Sequence, residues 1–183
     1  MKVNLIYIVI LSSLITLGCK INSNTNRIND FESFVKAIPM IDLPYNTTCE
    51  SCCKSIKLDI DSSFFDKFHL EGLEVVGKLI DNEKFVGILY AGAADYLVPR
   101  LTIYDRKGNV ISEKNFFGIS CGRMLDYYGS TFLEINKQLQ FTEIDSILQF
   151  KMDTVKWEIL DTLKRDVKIY RFEITKQGKI IKK

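Results

Sequence analysis

Histidine and proline are scarce in this chain, and so is an excess of charge of either sign. Its 183 residues include one histidine, His69, three prolines and 10 glycines, and its formal net charge is +2. So little proline and glycine excludes a collagen-like or low-complexity chain. The near-neutral charge lacks the basic excess that nucleic-acid binding needs, so we expect no nucleic-acid partner.

Several catalytic and metal-binding signatures are missing from the sequence. It has no glycine-rich phosphate loop, no His-Glu-x-x-His pair and no Gly-x-Ser-x-Gly elbow. A Ser-His-Asp triad would have to use His69, and no pattern places a nucleophile near it. Four cysteines after residue 48 offer thiolates, but Cys121 stands alone, whereas a structural zinc site usually has two separated cysteine pairs. We therefore predict no metal and no cofactor.

The composition is that of a globular protein. Hydrophobic residues make up 46% of the chain, charged residues 26% and aromatic residues 11%. This balance argues against a disordered chain, because enough apolar surface is available to form a core. The length is typical of one domain.

The N-terminus is predicted to be an export signal. Lys2 precedes an apolar stretch of 13 residues, Leu5–Leu17. This stretch is shorter than the roughly 20 residues with which a helix spans a bilayer, and its length is typical of the apolar core of a signal peptide. It ends at Gly18-Cys19, and residues 20–30 are rich in Asn, Ser and Thr, which favours a tether.

Thr16-Leu17-Gly18-Cys19 resembles the end of a bacterial lipoprotein signal peptide. In that family the cysteine is diacylated on its sulfur, the preceding peptide is removed and the new amine is acylated. Acyl chains anchor firmly because each buried CH₂ contributes about 0.8 kcal/mol. The resemblance implies membrane lipid as a partner through an acylated Cys19. It divides the chain into a signal peptide at 1–18, a lipidated tether at 19–30 and one β-rich domain at 31–183.

Alternating apolar residues predict a mainly β domain, an antiparallel meander of sandwich or barrel-like form with a short N-terminal helix. One-face spacing from Phe31 to Ile38, with Asn29 or Asp30 as the N-cap, predicts the helix. The segment Val155–Leu163 fits either a helix or a strand. Runs rich in β-forming residues predict strands at Ile56–Ile60, Leu73–Ile80, Lys84–Ala91, Leu97–Tyr104, Phe132–Ile135, Leu139–Ile147 and Val167–Ile174.

Three local units look alike, and each runs from an apolar strand into a polar turn that contains lysine. They are residues 103–108, 133–138 and 172–178. Their irregular spacing argues against propeller blades and favours generic hairpins of an antiparallel sheet with one buried and one wet face.

The cysteines after the tether form an even set, which in an exported chain favours disulfides. They are Cys49, Cys52, Cys53 and Cys121. We expect no bond between Cys52 and Cys53, because the eight-membered ring strains the intervening peptide. Any of the three clustered cysteines could pair with Cys121, which would close a loop of roughly 70 residues and stabilise the fold by about 4 kcal/mol.

A second interpretation starts from Cys49-Glu-Ser-Cys52, which has the spacing of a redox dithiol. The later segment from Val98-Pro99 to Val110 resembles the proline, strand and hairpin region of thioredoxin-like proteins. That resemblance implies an α/β thioredoxin-like fold and an envelope thiol–disulfide oxidoreductase. By it, Cys49 would be the nucleophile, Cys52 the resolving thiol and Pro99 the cis-proline.

Taken whole, the chain resembles the small exported lipoproteins of bacteria, on its lipidation signal and its hairpins. We expect a membrane-anchored protein of the cell envelope, a non-enzymatic accessory or binding module with an envelope protein or glycan as partner. Lys20 stands where an Asp commonly retains such proteins in the inner membrane, which favours the outer membrane in a cell with two membranes. Three triplets resemble acceptors of bacterial O-glycosylation, and they begin at Asp145, Asp153 and Asp161.

Overall fold

The computed structural model describes residues 27–49, 51–56, 67–68, 70, 72–92, 98–118, 121–124, 126–153, 155–156 and 158–183. The predicted signal peptide at 1–18, Cys19 and His69 lie outside the described residues. So does most of the strand predicted at 56–60, and Ile56 itself is not in a strand. No helix in the described part of the chain is long and apolar enough to cross a membrane.

Strands dominate the described residues, and one helix precedes them. Helix α1 covers residues 27–37. The strands are β1 Tyr45–Thr48, β2 Leu73–Asp81, β3 Phe85–Gly92, β4 Val98–Asp105, β5 Val110–Asn115, β6 Gly122–Arg123, β7 Tyr127–Ile135, β8 Gln140–Asp153, β9 Glu158–Ile174 and β10 Ile180–Lys182.

The strands form two antiparallel sheets. The four-stranded sheet has the order β2-β3-β4-β5, and the six-stranded sheet has the order β1-β7-β8-β9-β10, with β6 beside β7. The neighbours within each sheet follow one another along the chain except where β1 joins β7. The fold is therefore a mainly β meander of two sheets with a short N-terminal helix, as predicted, and the alternative α/β thioredoxin-like fold is wrong.

The four-stranded sheet is the middle layer of the molecule. Its β3 is buried along its whole length, because each of its faces is covered, and such a strand is a continuous apolar run. One face packs on the six-stranded sheet through residues such as Leu89, Leu101 and Leu133. The other face packs on α1 through Tyr90 and its neighbours. The six-stranded sheet consequently has one face on the core and one face outside.

Helix α1 packs on the middle layer through Phe31, Phe34 and Val35, all buried. Their one-face spacing was predicted, but the helix start was not. Asn29 and Asp30 lie inside the helix rather than at its N-cap, so the helix extends into the predicted tether. Within the helix the main-chain carbonyl of Asn29 accepts a hydrogen bond from the Ser33 hydroxyl at 2.9 Å, and the Asp30 carboxylate accepts one from Lys67 Nζ at 2.6 Å.

The three similar units all end in the same hairpin turn. In each turn a polar side chain accepts hydrogen bonds from the main-chain N–H groups two and four residues later. These side chains are Asp105, Asn136 and Thr175. The prediction of hairpins at these places is confirmed, and the repeated local sequence corresponds to a repeated turn.

The fourth residue of each turn has a positive φ. It is 78° at Gly108, 57° at Leu139 and 78° at Gly178. Glycine adopts this conformation at little cost. At Gly108 space is also limiting, because an added Cβ would lie 2.9 Å from the Phe31 ring and 2.8 Å from the Phe68 ring.

The strand predictions from 73 onward are confirmed, and three of them fall short, since the predicted strand Val167–Ile174 is the end of β9. The predicted strand Leu139–Ile147 is part of β8, which continues to Asp153, and Phe132–Ile135 is the end of a longer β7. The ambiguous segment Val155–Leu163 is extended from residue 158 onward, as the start of β9. Together β8 and β9 form a hairpin that continues beyond the core.

Candidate functional site

Two pairs of cysteines lie at disulfide-bonding distance around the end of β1. Cys49, which follows β1, is bonded to Cys121, which precedes β6, with a Cα–Cα distance of 5.7 Å and a sequence separation of 72 residues. Both residues are buried. The predicted cross-link from the cysteine cluster to Cys121 is confirmed, and Cys49 is the residue that makes it.

Cys52 and Cys53 are bonded to each other, so the expectation that ring strain would keep these neighbours apart is wrong. The pairing of β1 with β7 carries Cys49 to Cys121, so that of the described cysteines only Cys52 and Cys53 remain to pair with each other. The chain turns sharply at Cys53, whose φ is 36°. Cys53 is buried, with its sulfur 3.9 Å from the Thr47 hydroxyl, whereas Cys52 is partly exposed.

The three residues of the redox interpretation are not brought together as that interpretation requires. Cys49 and Cys52 have different disulfide partners. The cis peptide bond of the described residues lies before Pro44, not before Pro99. Pro99 lies in β4, where its carbonyl accepts a hydrogen bond from the N–H of Phe116 at 2.9 Å.

Thr131 of β7 connects the buried disulfide to a buried carboxylate. Its N–H donates to the Cys49 sulfur at 3.0 Å, and its carbonyl accepts from the Cys49 N–H at 3.2 Å. Its hydroxyl donates to Asp145 Oδ1 at 3.0 Å and lies 3.9 Å from the Cys121 sulfur. Thr131 and Asp145 are direct neighbours across β7 and β8, so the register of the sheet sets this contact.

Asp145 is only 3% exposed. Burial raises the pKa of its carboxyl above the ordinary value, because removal from water disfavours the charged form. The hydrogen bond from Thr131 and the charges of Lys114 and Lys168 act in the opposite direction and lower the pKa. Lys168 is the residue directly opposite Asp145 on β9.

Glu143 lies on the same face of β8 as Asp145, with Ile144 between them in the sequence, and is 2% exposed. Its Oε1 accepts hydrogen bonds from the N–H groups of Phe117 and Gly118, and Lys114 Nζ lies 3.6 Å from its Oε2. A charged group removed from water needs such partners. The glutamate therefore holds the segment that leads to Cys121.

Lys114 encloses this cluster from the side of β5. Its ammonium lies 5.1 Å from the ring centroid of Phe116 and 4.6 Å from that of Phe172. The rings stabilise the cation, and the cation balances the charge of Glu143. In the described part of the chain no group of three or more His, Cys, Asp or Glu side chains could hold a metal ion.

Sequence reasoning missed Glu143 and Asp145 as core residues. The signal was their spacing, because Phe141, Glu143 and Asp145 alternate and Phe141 belongs to the core. Ile144 competed with that signal, since it lies on the opposite face of the strand. The two carboxylates are enclosed and partnered: Glu143 holds Phe117 and Gly118, and Asp145 is held by Thr131 beside the bond between Cys49 and Cys121.

The outer face of the six-stranded sheet carries apolar side chains in rows across the strands. Phe132, Ile144 and Ile169 are aligned across β7, β8 and β9, and Val167 and Leu148 lie in the next two rows toward the tip of the β8–β9 hairpin. Ile169 is 52% exposed and Val167 45%. We call these five residues the outer apolar face. A sheet face in water is usually polar, and a contiguous exposed apolar surface marks an interaction site.

The part of the β8–β9 hairpin beyond the core is exposed on both faces. All residues of β9 from Glu158 to Arg165 are exposed. They include Leu160 at 55% and Leu163 at 65%. The adjoining turn presents Val155 at 87% exposure.

No protein-family model, no curated protein and no solved structure matches the chain.

Proposed function

We propose that the protein is a membrane-anchored lipoprotein of the cell envelope that acts as a binding module. Its anchor is the acylated Cys19, and its recognition surface is the outer apolar face. The observation that carries the proposal is the exposure of Val167 and Ile169 on a sheet face that packs on no described element. Apolar side chains in that position gain free energy when a partner removes them from water, about 25 cal/mol for each Å².

The chemistry of the surface favours a protein partner. Branched aliphatic side chains and one phenylalanine make up the outer apolar face, with Arg165 and Arg171 at its margin on β9. Apolar centres with polar margins are typical of protein interfaces. The bond between Cys49 and Cys121 links the end of β1 to the start of β6, and such a restraint lowers the entropic cost of binding.

The N-terminus supports the place of action. The segment that ends at Gly18-Cys19 resembles a lipoprotein signal, and a short tether after an acylated cysteine keeps the domain beside the membrane. A partner at the same membrane then meets the outer apolar face at a high effective concentration.

Photo-crosslinking in cells tests the proposal. Phe132 and Tyr127 are partly exposed aromatic residues of β7 that lie on opposite faces of the sheet. Two variants of the full chain are compared, and in each of them benzoylphenylalanine replaces one of these two residues. We expect an adduct with another envelope protein from Phe132 and none from Tyr127. No protein adduct from Phe132, an adduct with lipid alone, or equal adducts from both positions would contradict the proposal.

A further inference from the structure

Strand β9 has a free edge over most of its length. On one side it pairs with β8 from Glu158 to Glu173. On the other side β10 pairs only with Phe172–Ile174, and the Arg171 carbonyl accepts a hydrogen bond from the Lys183 N–H at 2.9 Å. Among the described residues no strand pairs with this edge from Glu158 to Tyr170. An exposed edge of this kind is a template for another strand.

The direction of the backbone groups along this edge follows from Arg171. Its carbonyl points away from β8, and in an antiparallel strand every second residue directs both its N–H and its C=O to the same side. The pairing of β9 with β8 is regular from Lys164 to Glu173. Arg165, Val167 and Ile169 therefore direct their main-chain groups outward, where no main-chain group of the described residues bonds to them.

We infer that β9 pairs with β9 of a second copy of this chain, antiparallel and centred on Val167. A two-fold axis normal to the sheet places Val167 opposite Val167 of the second copy. It places Lys168 opposite Asp166 of the second copy, and Asp166 opposite its Lys168. Opposite charges in such cross-strand pairs stabilise the pairing.

The neighbouring residues also fit this register. Ile169 meets the aliphatic stem of Arg165 of the second copy. Tyr170 lies opposite Lys164 of the second copy, and its ring already has the ammonium of Lys182 of its own chain 4.5 Å from its centroid. Because the axis is normal to the sheet, the outer apolar faces of the two copies lie on the same side. Val167 and Ile169 of both copies then form one continuous apolar surface.

The registers displaced by one step place like charges opposite each other. A shift toward the hairpin tip brings Asp166 against Asp166 of the second copy and Lys164 against its Lys168. A shift in the other direction brings Lys168 against Lys168 of the second copy and Arg165 against its Arg171. Like charges directly opposite destabilise strand pairing, so the charges of β9 select the register centred on Val167.

The ends of the paired segment coincide with features of the fold. At Arg171 the edge is already occupied by Lys183 and β10. In the second copy the residue opposite Arg171 is Leu163. Leu163 is a bulge residue of β9, because Gln149 of β8 pairs with Lys164 and the next residue, Phe150, pairs with Thr162. A bulge bends a strand, and here it separates the paired segment from the hairpin tip. Residues 164–170 thus form the whole interface strand.

The test uses the full mature chain in detergent, as an equal mixture of ¹⁴N and ¹⁵N protein. A carbodiimide joins a lysine ammonium to a carboxylate with loss of water, and the reagent is hydrated to a urea. We expect a crosslink between Lys168 and Asp166 that contains one light and one heavy peptide. A monomer at all concentrations, or a mixed-isotope crosslink that specifies another register, would overturn the inference.

Variants measured by sedimentation separate this pairing from other contacts. Asp166→Lys should raise the dimer dissociation constant about tenfold or more, because two pairs become repulsive. The charge swap Asp166→Lys with Lys168→Asp should return the dimer dissociation constant to the wild-type value. The control Asp161→Lys changes an exposed carboxylate beyond the bulge and should leave it unchanged. A swap that fails to restore a dimer weakened by Asp166→Lys would contradict the register.

Val167→Pro gives an independent check. The variant removes the outward N–H of Val167, and a proline at an edge strand leaves the ladder to β8 intact. The dimer should be lost while circular dichroism of the monomer is unchanged. A dimer that survives this variant would overturn the inference. The pairing does not depend on the proposed partner at the outer apolar face, since the crosslink from Phe132 and the dimer are measured separately.

Discussion

Thr131 Oγ1 lies 3.0 Å from Asp145 Oδ1 on the buried face of the six-stranded sheet. The same threonine donates its main-chain N–H to the sulfur of Cys49. One residue thus connects the carboxylate, the disulfide and the register of β7 with β8. The contact explains how the Asp145 carboxyl group is accommodated in the core, because burial of such a group without a hydrogen-bond partner would destabilise the fold.

Loss of the threonine hydroxyl should be costly. Thr131→Val keeps the shape of the side chain but leaves Asp145 without this donor, so we expect the free energy of unfolding to fall by about 1–3 kcal/mol. Thr142→Val is the matched control, because Thr142 lies on the outer face of β8. Its effect should stay within about 0.5 kcal/mol. Urea denaturation measures both, and equal effects would contradict the role given to Thr131.

The raised pKa of Asp145 predicts a pH dependence of stability. The folded state binds this proton more tightly than the unfolded state, so the contribution of Asp145 to stability increases as the pH falls through its folded pKa. Asp145→Asn removes this dependence and keeps an oxygen that accepts from Thr131. We expect the free energy of unfolding of the Asn variant to exceed that of the wild type most near neutral pH. This difference should become smaller in acid. A gain that grows on acidification would show a lowered pKa instead.

The disulfide between Cys49 and Cys121 should be the main covalent source of stability. It closes a loop of 72 residues, which is worth about 4 kcal/mol on the chain-entropy model. The double variant Cys49→Ala with Cys121→Ala should lose about that amount in denaturant unfolding. The double variant Cys52→Ala with Cys53→Ala should lose much less, because the bond between neighbours closes no long loop. Similar losses in the two variants would contradict this account.

Two glycines with almost the same φ angle allow backbone strain to be measured apart from steric crowding. The φ angles of Gly72 and Gly108 are 73° and 78°. An added Cβ has nothing within 4 Å at Gly72, whereas at Gly108 it meets the rings of Phe31 and Phe68. Gly72→Ala should cost about 1 kcal/mol from the backbone alone. Gly108→Ala should cost roughly 1–3 kcal/mol more through overpacking. Thermal unfolding compares the two, and equal costs would refute the close packing of Gly108 on α1.

Local patterns were sufficient to predict much of the fold. Alternation located β2, β3 and β4 closely, and the polar turns at Asp105, Asn136 and Thr175 were recognised from their sequences. These features depend on neighbours in the chain. The one-face spacing of Phe31 and Phe34 predicted the helix for the same reason.

The parts that sequence reasoning missed depend on contacts between distant residues. Cys52 is bonded to Cys53 because Cys49, the third cysteine of the cluster, is bonded to the distant Cys121. The burial of Glu143 and Asp145 follows from which face of β8 meets the middle sheet. Apolar residues occur on both faces of that strand, so alternation alone does not identify the buried one.

Mass mapping of the mature protein from membranes, without reductant, tests the central claim most directly. That claim divides five cysteines into one lipid anchor and two cross-links. After cleavage at Glu50, which separates Cys49 from Cys52, we predict an N-terminal peptide that begins at an acylated Cys19, one peptide pair joined through Cys49 and Cys121, and a peptide 2 Da lighter than its reduced form that contains Cys52 and Cys53. An unmodified Cys19, or a bond between Cys49 and Cys52, would contradict the account.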